Sequence, residues 1–514
     1  MKSKWYPLFV ICLTQILSST DNSVMLNSLS ALAVTFKSDV TSIQLANSMF
    51  ALIAGAFMLA GGLIGLKTGW KKLLIIGLLF LTAGELIAWI SSDMIVFTWV
   101  ARVMAGLGAS LAIPAAIGLI PANYSGKDLA IGFGALGASV GVASSFGPIA
   151  GGWVIDSFGW RIAFFILAIA FGFAVLSAFL IDEKTKDRVK FKFDYMGTVL
   201  FATGIVLFTL GLINIMVWNK LITISALVVG LIIIIIFVVY ESKLEKKQDI
   251  VLLPLVFLKN KTAKAGLIMT SLIFFLSGGI AFGLVTYLQV VKEFNALHTG
   301  LILSINAIGV ILFAIGTPIV VKNINPRRIC QISILLAFVS IISIAAGVNS
   351  PTLGVLFYTG VFIVGAASGL LSSQAGIIVT SGIPDKYAAQ SGGIQGSMRN
   401  IGEAIGIALV GLIMISTLSH SIKKGILENP VTRNIETGKI KLTKSVPFIS
   451  NKELSTFLDK KTKYSAVEKK NLLETNTRSQ VTALQIAFAS FGIIILLFFI
   501  FTFQIPKSYD QIKN

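Results

Sequence analysis

The sequence contains few of the residues that hold metal ions or form disulfides. In 514 residues it has two cysteines, Cys12 and Cys330, and two histidines, His298 and His420. The cysteines lie far apart in apolar surroundings, and each histidine stands alone in a polar connector. We therefore expect neither a disulfide framework nor a metal centre.

Charged residues are scarce as well. They make up 13% of the chain, whereas 55% of the residues are hydrophobic and the mean hydropathy is +0.88. Soluble domains have about 25% charged residues, so this composition excludes an ordinary soluble protein and indicates an integral membrane protein. With about 20 apolar residues per crossing and short connectors, the chain has room for roughly fourteen membrane helices.

Fourteen apolar segments are long enough to cross a bilayer. They fall into a block of six, a pair flanked by charged connectors and a second block of six. The predicted spans cover residues 5–30, 41–66, 73–90, 95–120, 129–155, 162–181, 195–218, 221–240, 265–291, 299–321, 329–348, 353–383, 392–418 and 482–505. The predicted fold class is an all-α integral membrane protein with fourteen transmembrane helices in a 6+2+6 arrangement.

This arrangement divides the chain into three predicted parts. Residues 1–181 form a six-helix bundle, and residues 182–264 form two extra helices with charged cytoplasmic connectors. Residues 265–514 form a second six-helix bundle, which includes a long, lysine-rich outer segment at 419–481. That segment is either a solvated linker or a hairpin and a helix that cap the outer mouth.

The net charge of +19 has a topological explanation. If both termini are cytoplasmic, the cytoplasmic segments carry about 23 basic residues and the short outer loops about 4, as the positive-inside rule requires. The charge therefore does not indicate nucleic-acid binding. We expect a multi-pass protein of a bacterial cell membrane with both termini in the cytoplasm, and we expect the first span to remain as a membrane helix.

Three carboxylates and two arginines lie inside predicted spans: Asp21, Glu85, Glu403, Arg102 and Arg399. A carboxylate in low dielectric binds a proton more readily, and a nearby cation opposes this, so one site can take a proton or a cation but resists both. That competition is the basis of antiport. Glu403 follows Arg399 by one helical turn and is either a proton or cation acceptor gated by Arg399 or part of a structural ion pair. Arg102 is either functional or a residue that reaches toward lipid headgroups.

Two blocks of six spans with a basic loop after the second span resemble the major facilitator superfamily, whose halves are related repeats that hold substrate near the membrane midplane. The stretch GLIGLKTGWKK is similar to the gating motif of that family. The matching positions are Gly62, Lys67, Gly69, Lys71 and Lys72. Leu66 stands where the family has an acidic residue that ties the loop to neighbouring helix ends in the outward-open state. The resemblance therefore implies a weaker or rebuilt lock here.

The fifth span contains GVASSFGPIAGG, which resembles the antiporter motif of the same superfamily. The matching positions are Gly141, Gly147, Pro148, Gly151 and Gly152. In the superfamily this motif is typical of exporters rather than uptake systems. The fourth span contains RVMAGLGAS, which is similar to the family's motif of an arginine followed by glycine, with Arg102 as the arginine.

The first span contains SSTDNSVMLNSLS, which resembles the acidic motif of the fourteen-span drug:proton antiporter family (EmrB/QacA type). Asp21 and Leu29 match that motif, Ser23 stands for a threonine and Ser30 replaces a proline. In this fold the third span, which carries Glu85, is usually peripheral to the cavity.

We predict a proton-coupled antiporter that exports hydrophobic, cationic drugs or biocides by alternating access, and hence a multidrug efflux protein that gives antibiotic resistance. The proton motive force drives it, and no cofactor is expected. Asp21 and Glu403 would carry proton coupling and charge selection, Arg102 would tune proton release, and the fifth-span motif would limit leak. The expected partners are a small hydrophobic substrate, protons and the lipid bilayer, and we expect a monomer.

Two alternatives use the same fold. One is an exporter or flippase of an endogenous lipid, fatty acid or other anionic amphiphile, and the other is a proton-driven importer. An enzyme is not expected, because the sequence shows no nucleophile, metal cluster or phosphate-binding loop of the kind that membrane enzymes need.

Overall fold

The computed structural model shows a chain built of helices. It describes residues 4–38, 40–124, 126–182, 191–215, 218–247, 250–320, 325–348, 353–381, 383–384, 387–429, 448–460 and 465–507. These residues contain no β-strand. Fourteen of their helical segments are long and apolar enough to cross a membrane, and each overlaps one predicted span.

The first part of the chain forms seven helices. They are α1 (Tyr6–Asn27), α2 (Leu29–Phe36), α3 (Val40–Thr68), α4 (Trp70–Ile90), α5 (Val103–Asn123), α6 (Gly126–Phe158) and α7 (Trp160–Phe179). A π-helical segment, Val96–Arg102, leads directly into α5. The long helices of this part, α1 and α3 to α7, pack against one another and form the first group of helices.

The remaining helices follow the same pattern. They are α8 (Tyr195–Ile213), α9 (Lys220–Leu244), α10 (Val256–Lys259), α11 (Lys261–Thr286), α12 (Ala296–Val320), α13 (Pro326–Gly347), α14 (Val355–Ser381), α15 (Ala388–Glu428), α16 (Asn451–Lys460) and α17 (Ala466–Leu497). A π-helical segment, Tyr287–Val291, continues α11, and a 3-10 segment, Phe498–Gln504, continues α17. Helices α11 to α15 and α17 pack together as the second group.

The two groups meet along two seams. Helix α3 packs against α15 at one seam, and α6 packs against α12 at the other. Helices α8 and α9 pack against each other, and α8 contacts both α3 and α15. The extra pair therefore lies along the α3–α15 seam, where side chains from both groups and from the pair form one apolar cluster.

The lysine-rich outer segment is more helical than the predicted spans imply, because α15 and α17 both extend into it. Ile422 and Ile426 on α15 and Leu472 on α17 are buried, so an apolar stripe among the lysines keeps the two helices packed beyond the predicted spans. Ser465 and Glu468 form a capping box that starts α17. Residues 430–447 and 461–464 of the segment lie outside the described residues.

The second charged connector also begins later than predicted. Helix α9 continues to Leu244, so Glu241 lies in its last turns and is buried. The reason is local hydrogen bonding: Glu241 Oε2 accepts the backbone N–H of Leu253 at 3.2 Å, which folds the connector back onto the helix. Nearby, the Tyr240 hydroxyl donates to Asp194, the residue that caps α8, at 3.1 Å.

Candidate functional site

A cavity of about 1230 Å³ lies between the two groups of helices. Its walls come from α1, α3, α5 and α6 on one side and from α11, α12, α14 and α15 on the other. It extends to Gly69 and Ala122 near the ends of α3 and α5, and to Thr380 and Ser391 near the end of α14 and the start of α15. The cavity therefore reaches the side of the molecule that the sequence places in the cytoplasm.

The walls of this cavity are mostly apolar. Among the described residues, Arg399 and Glu403 are the charged side chains that line it, and both come from α15. Amide side chains add hydrogen-bonding groups to the walls: Gln15, Asn22, Asn306, Gln395 and Asn400. An apolar cavity with a few polar groups is the usual form of a site for a small organic molecule.

Three charged side chains meet behind the wall of the cavity, inside the first group of helices. Arg102 Nη1 donates to Asp21 Oδ1 at 2.8 Å, and Nη2 donates to Asp21 Oδ2 at 3.2 Å. Nη1 also lies 3.5 Å from Glu85 Oε1. Asp21 comes from α1, Glu85 from α4 and Arg102 from the π-helical segment before α5. We call these three residues the buried triad.

All three members of the buried triad are at most 1% exposed, so Arg102 does not reach toward lipid headgroups. Two carboxylates and one guanidinium give a formal charge of −1. Glu85 Oε2 and Arg102 Nε have no hydrogen-bond partner among the described residues. Because an unpartnered buried polar atom costs about 1–3 kcal/mol, these two atoms are the unsatisfied part of the buried triad.

The neighbour of Asp21 faces the cavity instead. The side-chain amide of Asn22 donates to Glu403 Oε1 on α15, so this hydrogen bond joins the two groups of helices. Asp21 and Asn22 are consecutive residues of α1, one in the buried triad and one in the cavity wall. Helix α1 therefore connects the two carboxylate sites directly.

Arg399 does not pair with Glu403 in the described part of the chain, since no carboxylate lies within 4 Å of its guanidinium. The guanidinium carbon lies 4.3 Å from the ring centroid of Phe274 on α11. The ion pair that the one-turn spacing allows is therefore not formed, and Glu403 Oε1 accepts from Asn22.

The gating-motif residues lie on either side of a very short turn between α3 and α4. Helix α3 runs to Thr68, and Gly69, with a φ of +98°, is the single residue between α3 and α4. A side chain would be strained at that φ, which explains the glycine. Lys71 Nζ donates to the carbonyl of Phe179 at the end of α7, at 2.9 Å. Since α4 and α7 both belong to the first group of helices, this lysine contact lies within that group. Leu66, at the acidic position of the motif, lines the cavity and packs among apolar side chains.

The other residues of that motif are placed as follows. Gly62 lines the cavity, and a Cβ added to it would lie 3.7 Å from the Cα of Gly393 on α15. Lys67 and Lys72 are exposed, and neither has an ion pair in the residues that the structure describes.

The glycines of the antiporter motif allow α6 to approach two helices closely. Added Cβ atoms at Gly147 and Gly151 would lie 3.0 Å from atoms of Ser23 and Val24 on α1. An added Cβ at Gly152 would lie 2.5 Å from the carbonyl oxygen of Ala296, at the start of α12. Small residues let helix backbones pack closely, so this end of α6 fits tightly against α12.

Two more members of the motif complete this seam. An added Cβ at Gly141 would lie 3.1 Å from Ile311 on α12. An added Cβ on Gly300 would clash with the carbonyl oxygen of Pro148, so α12 also contributes a glycine to the contact. Gly141, Pro148 and Gly152 thus lie at the α6–α12 seam between the two groups of helices, whereas Gly147 and Gly151 pack against α1 within the first group.

Polar side chains close the opposite end of the cavity. The Asn27 side chain donates to the Pro148 carbonyl at 2.6 Å, and Gln289 donates to the Asn27 carbonyl at 2.9 Å. Asp156 on α6 accepts the backbone N–H groups of Ala296 and Leu297 at 3.1 and 2.8 Å. The first of these contacts joins α1 to α6 within the first group of helices. Because the contacts of Gln289 and Asp156 join the two groups, the cavity is closed on the predicted outer side.

The sequence analysis missed several of these residues. Asn22 stands beside Asp21, yet nothing in the sequence indicates a partner 381 residues away. Gln289 and Asp156 lie at helix ends, and their partners belong to other helices. A signal was available only for Asp156, because carboxylates often cap helix N-termini, but the sequence does not indicate which helix is capped.

We expect Arg102→Met to lower the stability of the protein strongly. The substitution leaves Asp21 and Glu85 buried without a counter-charge, and breaking a buried ion pair costs about 3–5 kcal/mol. The midpoint of thermal unfolding in detergent, followed by tryptophan fluorescence, measures the effect. The double variant with Asp21→Asn should regain part of the loss. Arg328→Met, at an exposed arginine, is the control. Equal midpoints for Arg102→Met and Arg328→Met would contradict the structure.

We expect Gly152→Ala to open the α6–α12 seam on the outer side, because the new Cβ would meet the Ala296 carbonyl. In a cysteine-free background, spin labels at Ser157 and Leu301 report the separation of the two helices. The distance distribution should shift to longer values in Gly152→Ala. In Gly172→Ala the added Cβ has an ordinary contact of 3.9 Å and should leave the distribution unchanged. Identical distributions in all three proteins would show that the seam does not depend on Gly152.

Solved structures with the same fold were found by comparison. A bacterial homologue of the human lysosomal transporter Spinster, in an inward-facing and unoccupied conformation, superposes with a TM-score of 0.66. That match covers 98% of this chain and 97% of the other at 13% sequence identity, so it shows the fold alone.

Curated relatives cover most of the chain at low identity. The riboflavin transporter RibZ of Clostridioides difficile (strain 630) is 26% identical over 82% of this chain and 91% of its own length. The tetracenomycin C resistance and export protein of Streptomyces glaucescens is 24% identical over 80% of this chain and 76% of its own. The family model of the Major Facilitator Superfamily matches residues 11–407. With its helical membrane fold and a cavity between two groups of helices, the chain is therefore a transporter, not an enzyme, and it belongs to the Major Facilitator Superfamily.

Proposed function

We propose that this transporter is a proton-coupled antiporter that exports small hydrophobic compounds by alternating access. The observation that carries the proposal is the pair of carboxylate sites joined through α1. Glu403 lines the cavity and accepts a hydrogen bond from Asn22. Asp21, which directly precedes Asn22 on α1, belongs to the buried triad. A substrate in the cavity and a proton in the triad would thus act on adjacent residues of one helix.

The buried triad supplies the chemistry for taking up a proton. Two carboxylates share Arg102, and Glu85 Oε2 lacks a hydrogen-bond donor among the described residues. Burial in low dielectric disfavours a net charge, so a proton is favoured while the triad stays closed. If Asp21 moves away from Arg102, the guanidinium is left with fewer acceptors. The relative proton affinities of Asp21 and Glu85 then change.

The cavity supplies the link to the substrate. A compound that takes the place of Asn22 at Glu403 would release the contact between the two groups of helices. Because Asn22 and Asp21 are neighbours, α1 could then shift within the buried triad. Inward proton movement provides about 2.3 kcal/mol per charge for each 100 mV of membrane potential, before any pH gradient is added.

Alternating access requires the outer contacts to break when the cavity opens outward. These contacts are the hydrogen bonds that Gln289 makes with the Asn27 carbonyl and that Asp156 makes with the start of α12, since both join the two groups of helices. Gly141 and Gly152 of the antiporter motif lie at the same α6–α12 seam, where tight packing would limit leak in the inward-facing state.

The relatives support export of an organic compound. One is named for resistance to tetracenomycin C and its export, and another for riboflavin transport. For this chain we propose the same general role in a bacterial cell membrane, as a monomer with both termini in the cytoplasm. The expectation of cationic substrates and of multidrug efflux rests on Glu403 as the acid that lines the cavity.

We expect purified protein in liposomes to move ethidium against its gradient only when an opposing proton gradient is present. Asp21→Asn and Glu403→Gln should each lower the gradient-dependent rate at least about tenfold, which corresponds to a loss of about 1.4 kcal/mol. Glu474→Gln removes an exposed carboxylate outside the cavity and should behave like the wild type. Dye fluorescence inside the vesicles measures the rate.

Three results would contradict the proposal. Transport at the full rate without a proton gradient would exclude proton coupling. Net movement only in the direction of the proton flow would indicate an importer. If ethidium does not move but a fluorescent fatty acid does, the anionic-amphiphile alternative would replace the cationic expectation.

A further inference from the structure

The guanidinium of Arg399 stands in the cavity wall without a hydrogen-bond partner among the described residues. It lies over the ring of Phe274, with 4.3 Å between the guanidinium carbon and the ring centroid. A guanidinium has five N–H donors, and a charge removed from water is costly unless it is hydrogen-bonded. The cavity therefore presents a set of unused donors to whatever it binds.

Two other arginines of the chain show the contrast. Arg161 lies 4.4 Å from the ring centroid of Trp160, but its Nη1 donates to the carbonyls of Trp89 and Ser91 at 3.0 and 2.8 Å. Arg327 donates to two backbone carbonyls at the end of the chain's last helix. These arginines hold the protein together, whereas Arg399 is stacked and leaves its donors free.

The neighbouring acid does not use those donors. Glu403 accepts the side-chain amide of Asn22, and no carboxylate of the described residues lies within 4 Å of Arg399. Because Arg399 and Glu403 are not paired, the cation is available to a ligand in the cavity.

The stacked pair also favours a flat ligand. A guanidinium is planar, stacks on aromatic faces and donates in a fixed fork to carboxylate and carbonyl oxygens. Phe274 holds the guanidinium in place and adds an aromatic edge and face to the same patch of wall. Ser277 and Asn306 line the cavity as well and add uncharged polar groups.

We propose that Arg399 and Phe274 form a subsite for planar aromatic compounds that carry a carboxylate, phenolate or carbonyl oxygen at the ring edge. This inference rests on the proposed function, because it names the substrate class of the same cavity. It adds a second charged binding group beside Glu403, on which the expectation of cationic compounds rests: Arg399 would repel only a positive charge placed at the ring edge that meets it.

The test compares two probes with the same ring and opposite charge. Purified protein in nanodiscs is titrated with 9-anthracenecarboxylate and with 9-(aminomethyl)anthracene, and fluorescence anisotropy gives the two dissociation constants. We expect the carboxylate to bind at least about tenfold more tightly, as hydrogen bonds to a charged group allow. Tighter or equal binding of the amine would overturn the proposal.

Four variants locate the effect. Arg399→Gln should weaken carboxylate binding at least about tenfold, and Arg399→Lys should weaken it less, because lysine keeps the charge but lacks the fork. Phe274→Leu should weaken the anthracene probe but not 1-adamantanecarboxylate, which has no flat ring. Arg161→Gln, at the stacked arginine outside the cavity, should bind like the wild type. Unchanged binding in Arg399→Gln would also overturn the proposal.

The binding result and the transport result can fail separately. If the carboxylate binds as expected but moves without a proton gradient, the subsite stands and proton coupling is wrong. If ethidium export depends on the proton gradient but Arg399→Gln binds both probes like the wild type, coupling stands and the subsite is wrong. Size-exclusion profiles of the variants show that each is folded.

Discussion

The bidentate ion pair between Arg102 and Asp21 is the interaction on which the proposed mechanism depends. It fixes α1 against the start of α5 inside the first group of helices and is fully buried. Because α1 is held there, Asn22 is aimed at α15, where it reaches Glu403. In the proposed mechanism, a change at either acid therefore shifts one short stretch of α1, which contacts both groups of helices.

The contacts on the predicted outer side determine which side of the membrane the cavity opens to. The close contact of Gly152 with Ala296 and the hydrogen bonds of Gln289 and Asp156 close the predicted outer side, while the cavity extends to the other side. The extra pair α8 and α9 lies along the α3–α15 seam. One seam is thus tightly packed through glycines, and the other is covered by additional helices.

The sequence predicts the helices well and their contacts poorly, for a physical reason. Each predicted span overlaps a helix because lipid requires long apolar runs. Hydropathy says little about which face of such a helix is buried, so the meeting of Asp21, Glu85 and Arg102 could not be derived. The motifs located the α6 glycines and Arg102, whereas Asn22 and Gln289 carry no pattern that distinguishes them. Glu241 was placed in a connector because its neighbours are charged, although it is buried at the end of α9.

In the proposed mechanism, Asn22 couples the substrate cavity to the buried triad. The most direct measurement is the number of protons that move with each substrate molecule in liposomes, in the wild type and in Asn22→Leu, which has a similar size. Asn22→Leu should still let substrate move down its gradient, but the accompanying proton flux should fall at least about tenfold. An unchanged number of protons per substrate in Asn22→Leu would contradict the account.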